Sequence, residues 1–156
     1  MLNPRVIYKN KNFLVINKPA GLLAHKSVLN REDLNKDEKT LVDWLLKNYP
    51  QIKNVGDDIE NRPGIVHRLD KETSGVMIVP LNQKYFDFFK NLFKEHRIQK
   101  TYIALVNGII RSEKGVINKP IGIKSGTTRR SVRSTKMSKE AITEFEVIKR
   151  FKKGNQ

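Results

Sequence analysis

The sequence predicts a mixed fold of short strands and two capped helices. Three observations predict it. Apolar and β-branched runs of four to eight residues recur between polar turns rich in Pro, Gly and Asn. Two segments set apolar residues at helical spacing behind a capping residue. The chain has 156 residues, read as one domain, 1–156, long enough to bury a core.

In chain order, Arg5–Tyr8 and Phe13–Ile16 read as two strands joined by the polar turn Lys9–Asn12. Lys18, Pro19, Ala20 and Gly21 break the second strand, because proline lacks an N–H and glycine accepts turn geometry. Residues 24–39 are polar and mixed in charge, as a surface loop would be. Thr40 is a helix cap with Asp43 three residues on, and Leu41, Leu45 and Tyr49 form one face before Pro50 stops the helix. Gln51–Pro63 reads as a second loop, acidic at Asp57, Asp58 and Glu60. Gly64–Val79 reads as strand, hinge, strand. Asn82 caps a second helix whose Phe86, Phe89 and Phe93 form a core-facing stripe. Thr101–Val106 is a buried strand on its apolar content, and Val116–Ile123 and Ala141–Ile148 are two more.

Lys and Arg total 31 against 16 acidic residues, a net charge of +15. Such a balance calls for a polyanionic partner: RNA, DNA or an anionic membrane. No amphipathic basic helix stands out, and no apolar run reaches membrane-span length. The N-terminus lacks the apolar core of a signal peptide. There is no cysteine, which excludes disulfides and thiolate metal sites. His25, His67 and His96 have no metal-ligand spacing. The expectation is a cytoplasmic protein with no metal and no cofactor, and with no obligate protein partner. From Lys119 to Lys139 the chain carries Lys119, Lys124, Arg129, Arg130, Arg133, Lys136 and Lys139 with one acidic-free stretch of Ser, Thr and Gly among them. This is a loop or hairpin tip suited to following a phosphate backbone.

Within Gly64–Val79 a single carboxylate, Asp70, lies between Arg68 and Lys71. On a basic surface a lone Asp repels phosphate, so it needs another reason to be there. A carboxylate can act as a nucleophile if backbone structure fixes it and a cation keeps it ionised. Val66 and Leu69 give it apolar flanks, and Gly75 allows a sharp turn. Thr73 and Ser74 can fix the hinge through hydrogen bonds. If the segment is extended, Arg68 and Asp70 share a face.

The run His67-Arg68-Leu69-Asp70-Lys71-Glu72-Thr73-Ser74-Gly75 resembles the signature of the RluA-like pseudouridine synthases, His-Arg-Leu-Asp-x-x-Thr-Ser-Gly. Lys18-Pro19-Ala20-Gly21 is similar to the family's early Lys-Pro-x-Gly motif, and Lys100-Thr101-Tyr102 to its Lys-x-Tyr strand. The resemblance runs from Arg5 to about Arg150. It implies an α+β fold, the pseudouridine synthase catalytic fold, with a curved, mostly antiparallel sheet, flanking helices and RNA across a cleft. It implies isomerisation of uridine to pseudouridine in ribosomal or transfer RNA, by attack at either the sugar or the base, without metal or cofactor.

By that resemblance Asp70 is the nucleophile, and Tyr102 stacks on the uracil and exchanges a proton. Arg68 holds the target nucleotide out of its stack. Lys18 and Lys100 join Arg129, Arg130 and Arg133 in the RNA-binding set, with support of the hinge as the other role open to Lys18 and Lys100. His67, Thr73, Ser74 and Gly75 support the site, His67 by hydrogen bonding and not as a general base. Relatives continue with a segment like Thr-Gly-Arg-Thr-His-Gln-Ile-Arg, whose arginine pairs with the catalytic carboxylate. The expectation is therefore a catalytic domain incomplete at its C-terminus, with no separate N-terminal RNA-binding module. The rival readings are a catalytically impaired RNA-binding protein and a basic structural protein that binds ribosomes.

Overall fold

The computed structural model describes residues 2–26, 38–123, 130–134 and 137–151. The chain divides into two compact units, Met1–Thr101 and Tyr102–Gln156. Strands β1 (Arg5–Lys9), β2 (Phe13–Lys18) and β3 (Gly75–Pro80) form an antiparallel sheet in the first unit, with β2 in the centre. Helix α1 (Leu41–Asn48), a 3-10 turn (Pro50–Asn54) and helix α2 (Gln83–Lys94) complete that unit.

Strand alternation builds the core. Leu14 and Ile16 of β2 and Met77 and Val79 of β3 point to one face. There they meet Leu41 and Leu45 of α1 and Ile52 of the 3-10 turn, all fully buried. Phe13 has the opposite parity, and Phe89 of α2 packs edge-on against it at 5.3 Å. Of the aromatic stripe read in the sequence, Phe86 and Phe89 are buried and Phe93 is half-buried.

Both helix starts follow their caps. Thr40 Oγ1 accepts the Asp43 N–H at 3.2 Å, and Asp43 Oδ2 accepts the Thr40 N–H at 2.8 Å. The next free donors of α1 go to an incoming strand-like segment: Leu41 N–H to the Leu23 carbonyl (2.8 Å) and Val42 N–H to the Ala24 carbonyl (3.2 Å). Asn82 caps α2 by accepting the Tyr85 N–H at 3.1 Å.

Several expected elements take another form. Gly64–Val66 is a turn, not a strand. Gly64 sits at φ +71°, its N–H donates to the Val55 carbonyl at 2.7 Å, and Ile65 drops into the core. The segment read as a loop from Gln51 begins with the 3-10 turn, which buries Ile52. Thr101–Val106 is neither a strand nor buried: Ile103 and Leu105 are each 86% exposed. A run apolar on both faces needs strands beside it and cover above and below. Among the described residues no strand pairs with it.

In the second unit β4 (Lys114–Asn118) pairs antiparallel with β7 (Ile142–Glu146), and β5 (Gly122–Ile123) with β6 (Arg130–Ser131). The expected strand Val116–Ile123 is divided at Pro120, which has no N–H for the ladder. Gly115 faces Phe145, whose ring lies 2.7 Å from where a Cβ would stand, so only glycine fits beneath it. Arg150 donates to the Ile110, Arg111 and Ser112 carbonyls and pairs with Glu113, closing that loop.

The capping box gives a direct test. Thr40→Ala removes one acceptor and leaves the Asp43 N–H without its partner. The variant should lose about 1 kcal/mol of stability, read as a lower urea midpoint with an unchanged slope. An unchanged midpoint would mean that the Leu23 and Ala24 carbonyls hold the helix start unaided.

Candidate active site

The site grows from the end of β2. Parity along β2 carries Lys18 inward behind Leu14 and Ile16, and its side chain is fully buried. A buried ammonium is costly unless its donors are met. Lys18 Nζ donates to three carbonyls: Leu22 at 2.7 Å, Pro19 at 3.0 Å and Lys71 at 3.1 Å. All three N–H groups therefore have an acceptor. Burial lowers the Lys18 pKa from its ordinary 10.5, and the carboxylates of Glu72 and Asp70 oppose that shift. Of the two roles the sequence leaves open for Lys18, contact with RNA or support of the hinge, its burial and its three carbonyl partners fit support of the hinge.

The clamp joins two loops. Gly21 takes φ +82°, which L side chains avoid, and its N–H donates to the Lys71 carbonyl at 2.8 Å. The Lys71 carbonyl thus accepts from both Gly21 and Lys18. Outside the clamp, the Lys71 side chain pairs with Glu38 at 2.6 Å.

Asp70 stands one residue before this carbonyl. Its own carbonyl accepts the Thr73 N–H at 3.1 Å, which closes the turn. Arg68 and Asp70 are exposed while Leu69 between them is buried, so the two charged side chains leave on the solvent side. Among the described residues the Asp70 carboxylate makes no hydrogen bond or ion pair. Arg68 does not pair with it either. The Arg68 guanidinium instead lies 3.2 Å from His25 Nε2. The charge of Asp70 acts on the buried Lys18 ammonium.

Thr73 and Ser74 were expected to fix the hinge with their hydroxyls. Among the described residues neither hydroxyl makes a hydrogen bond, and the backbone N–H of Thr73 performs that task. Gly75 opens β3 opposite Lys18 at φ +141°, a conformation that favours glycine. His67 turns inward. Its Nε2 accepts the Ile78 N–H of β3 at 2.9 Å, and its ring stacks on Phe93 at 4.6 Å and 28°. Burial, and then the charge of Lys100, push its pKa down to about 4. A neutral imidazole whose accepting nitrogen is occupied is a structural pin.

These features coincide with a known family. The family model described as RNA pseudouridylate synthase matches residues 12–156. The chain belongs to the RluA-like family of RNA pseudouridine synthases. An uncharacterized RNA pseudouridine synthase of Aquifex aeolicus is 36% identical over 148 residues, which cover 95% of this chain and 44% of that protein. Ribosomal large subunit pseudouridine synthase D of Borreliella burgdorferi is 36% identical over 146 residues, covering 94% of this chain and 43% of the relative. Human RNA Pseudouridylate Synthase Domain Containing 1 aligns in structure with a TM-score of 0.63 at 28% identity, over 92% of this chain and 51% of the human chain. The fold is the α+β pseudouridine synthase fold. This chain spans less than half the length of these two bacterial relatives.

For this pseudouridine synthase family member, the first unit holds Lys18, His67, Arg68, Asp70, Thr73, Ser74, Gly75 and Lys100. Lys100 is exposed, and its charge is felt at His67. Tyr102 begins the second unit, where it is 62% exposed. Arg130 contributes its backbone to β6, Arg133 is exposed, and Arg129 lies outside the described residues. No group of three metal-ligating side chains occurs among the described residues. No described helix is long and apolar enough to cross a membrane. Sequence reasoning passed over His25, which touches Arg68 from 43 positions away. Nothing local in a polar stretch marks such a contact.

His67 makes stability depend on pH. Its folded pKa lies below the ordinary 6.5, so below that pH the unfolded chain takes up the proton first. The stabilisation is complete above pH 6.5 and is lost as pH falls toward 4. Between pH 7 and 4.5 the parent should lose roughly 2 kcal/mol more than His67→Gln, whose amide oxygen can still accept the Ile78 N–H. Urea unfolding at the two pH values measures this, and parallel losses in both proteins would refute the pinned, neutral imidazole.

Proposed function

We propose that this chain acts in isomerising uridine to pseudouridine within RNA, with Asp70 as the nucleophile. The observation that carries the reading is the state of Asp70. Its carboxylate is exposed and uncommitted among the described residues, while its own carbonyl and that of Lys71 are tied down. A nucleophile needs this combination of free oxygen lone pairs and fixed origin. The buried Lys18 ammonium lies close enough for the charge of Asp70 to act on it.

In the reaction the N1–C1′ bond of uridine breaks, the ring turns, and a C5–C1′ bond forms. C5 gives up its proton and N1 gains one, so the isomerisation balances without an oxidant or cofactor. Asp70 attacks the sugar or the base and leaves again at the end. Arg68, exposed beside it, holds the extruded nucleotide by stacking and by pairing with phosphate. The family resemblance gives Tyr102 the role of stacking on the uracil and exchanging the proton. The net charge of +15 provides the sequence-independent part of RNA affinity. Relatives named for the ribosomal large subunit make large-subunit ribosomal RNA the first substrate to test, with transfer RNA as the second. Such RNA is met in the cytoplasm.

Asp70→Asn keeps the shape of the side chain and removes its charge. It should abolish pseudouridine formation, measured by mass spectrometry of ribosomal RNA from cells that depend on the gene. RNA affinity should be kept or raised, because one repulsive charge is gone. Turnover near the parent's would reject Asp70 as the nucleophile. The arm is tested separately. Replacing Arg129, Arg130 and Arg133 with Ser should flatten the salt dependence of RNA binding by roughly 0.7 to 0.9 log units of slope per lost contact. An unaltered slope would mean that these side chains do not meet phosphate.

A further inference from the structure

We propose that His25 is a positioning residue for Arg68: a neutral acceptor that fixes the guanidinium beside the hinge for contact with RNA. This rests on the reading of Arg68 given above and adds to it the residue that sets its pose.

Two contacts fix the state of the ring independently. Nδ1 lies 3.0 Å from the Lys26 carbonyl. A carbonyl only accepts, so Nδ1 carries the proton. Nε2 lies 3.2 Å from Arg68 NH1. A guanidinium only donates, so Nε2 carries the lone pair. Both contacts demand the same neutral tautomer, and neither survives a change in it. An imidazolium would lose its acceptor and place a second positive charge against the first.

The ring is carried by anchored backbone. The Leu23 and Ala24 carbonyls accept the first two N–H groups of α1, and Ala24 is fully buried. A short path therefore runs from the α1 N-terminus through Ala24 and His25 to Arg68. Arg is long and rotamer-rich, and an exposed one samples many poses. One acceptor at NH1 restricts that freedom and leaves four of its five N–H groups for the ligand.

The charged groups around His25 favour neutrality. Burial lowers its pKa, as do Arg68 on the hinge and Arg62 on the loop before it. The Lys26 carbonyl and Asp58 act the other way, and Asp58 is itself engaged by Arg62 at 3.6 Å. The pose is therefore present near neutral pH and is lost as pH falls through a His25 pKa below 6.5.

The test uses the full 156-residue chain and a uridine-containing RNA stem-loop from the large ribosomal subunit. Nitrogen-15 spectra of His25 should show a protonated Nδ1 and an unprotonated Nε2 at pH 7.5, and the His25 pKa should rise in Arg68→Ala. His25→Ala should weaken stem-loop binding by about five-fold, the scale of one ordinary hydrogen bond. His25→Gln, which keeps a neutral acceptor, should recover most of that loss and remove the extra weakening that the parent shows at pH 5.5. The Arg68→Ala/His25→Ala double variant should bind no worse than Arg68→Ala alone. Additive losses, or a proton on Nε2 at pH 7.5, would overturn the role of His25. An Arg68→Ala protein that binds as tightly as the parent would strike the Arg68 reading itself, and the role of His25 with it.

Discussion

One buried ammonium organises the first unit. Lys18 completes the inward row begun by Leu14 and Ile16, but brings three donors where a methyl group would bring none. Three carbonyls from two segments converge on it: Pro19 and Leu22 from the loop that follows β2, and Lys71 from the hinge. Lengthening or shifting either loop would leave a charge in the core with an unmet donor, which costs several kcal/mol. The two loops are therefore held in one mutual arrangement, and Asp70 is held with them. Gly21 strengthens the link by donating to the same Lys71 carbonyl, at a φ that few other residues would accept.

This arrangement explains how a protein of net charge +15 keeps the Asp70 carboxylate open. The carboxylate is kept uncommitted because the cations near it are committed elsewhere. Lys18 faces carbonyls, Lys71 faces Glu38, and Arg68 faces His25. Each has a partner that is not Asp70, so the hinge presents an anion whose oxygens are open to solvent. The side chains that would otherwise smother it are distributed around it as field and scaffold. His67 adds rigidity from below by holding β3 and stacking on α2.

Much of this was legible in the sequence. Thr40 with Asp43, and Asn82, announced their helices, because caps act on local donors. The aromatic stripe of α2 and the paired strands around Asn10 followed from periodicity alone. What was not legible depended on contacts far apart in the chain. Reading β2 as ending at Ile16, two residues short, hid the fact that parity carries Lys18 inside. Gly64–Val66 has strand-like composition, yet its conformation is set by Gly64 at φ +71° and by Ile65 seeking the core. Thr101–Val106 has the composition of a central strand, but pairing needs neighbours and composition does not supply them. His25 stands in a polar stretch, and its value lies wholly in reaching Arg68 across the fold.

The central claim is that the Lys18 ammonium holds the Asp70 hinge. Hydrogen exchange of the Gly21 and Thr73 amides reads it most directly, since these donate to the Lys71 and Asp70 carbonyls. In Lys18→Met both amides should exchange far faster than in the parent, relative to the Tyr49 and Phe86 amides of the helices as internal references. Equal protection of Gly21 and Thr73 in the two proteins would mean that the hinge keeps its shape without the buried cation.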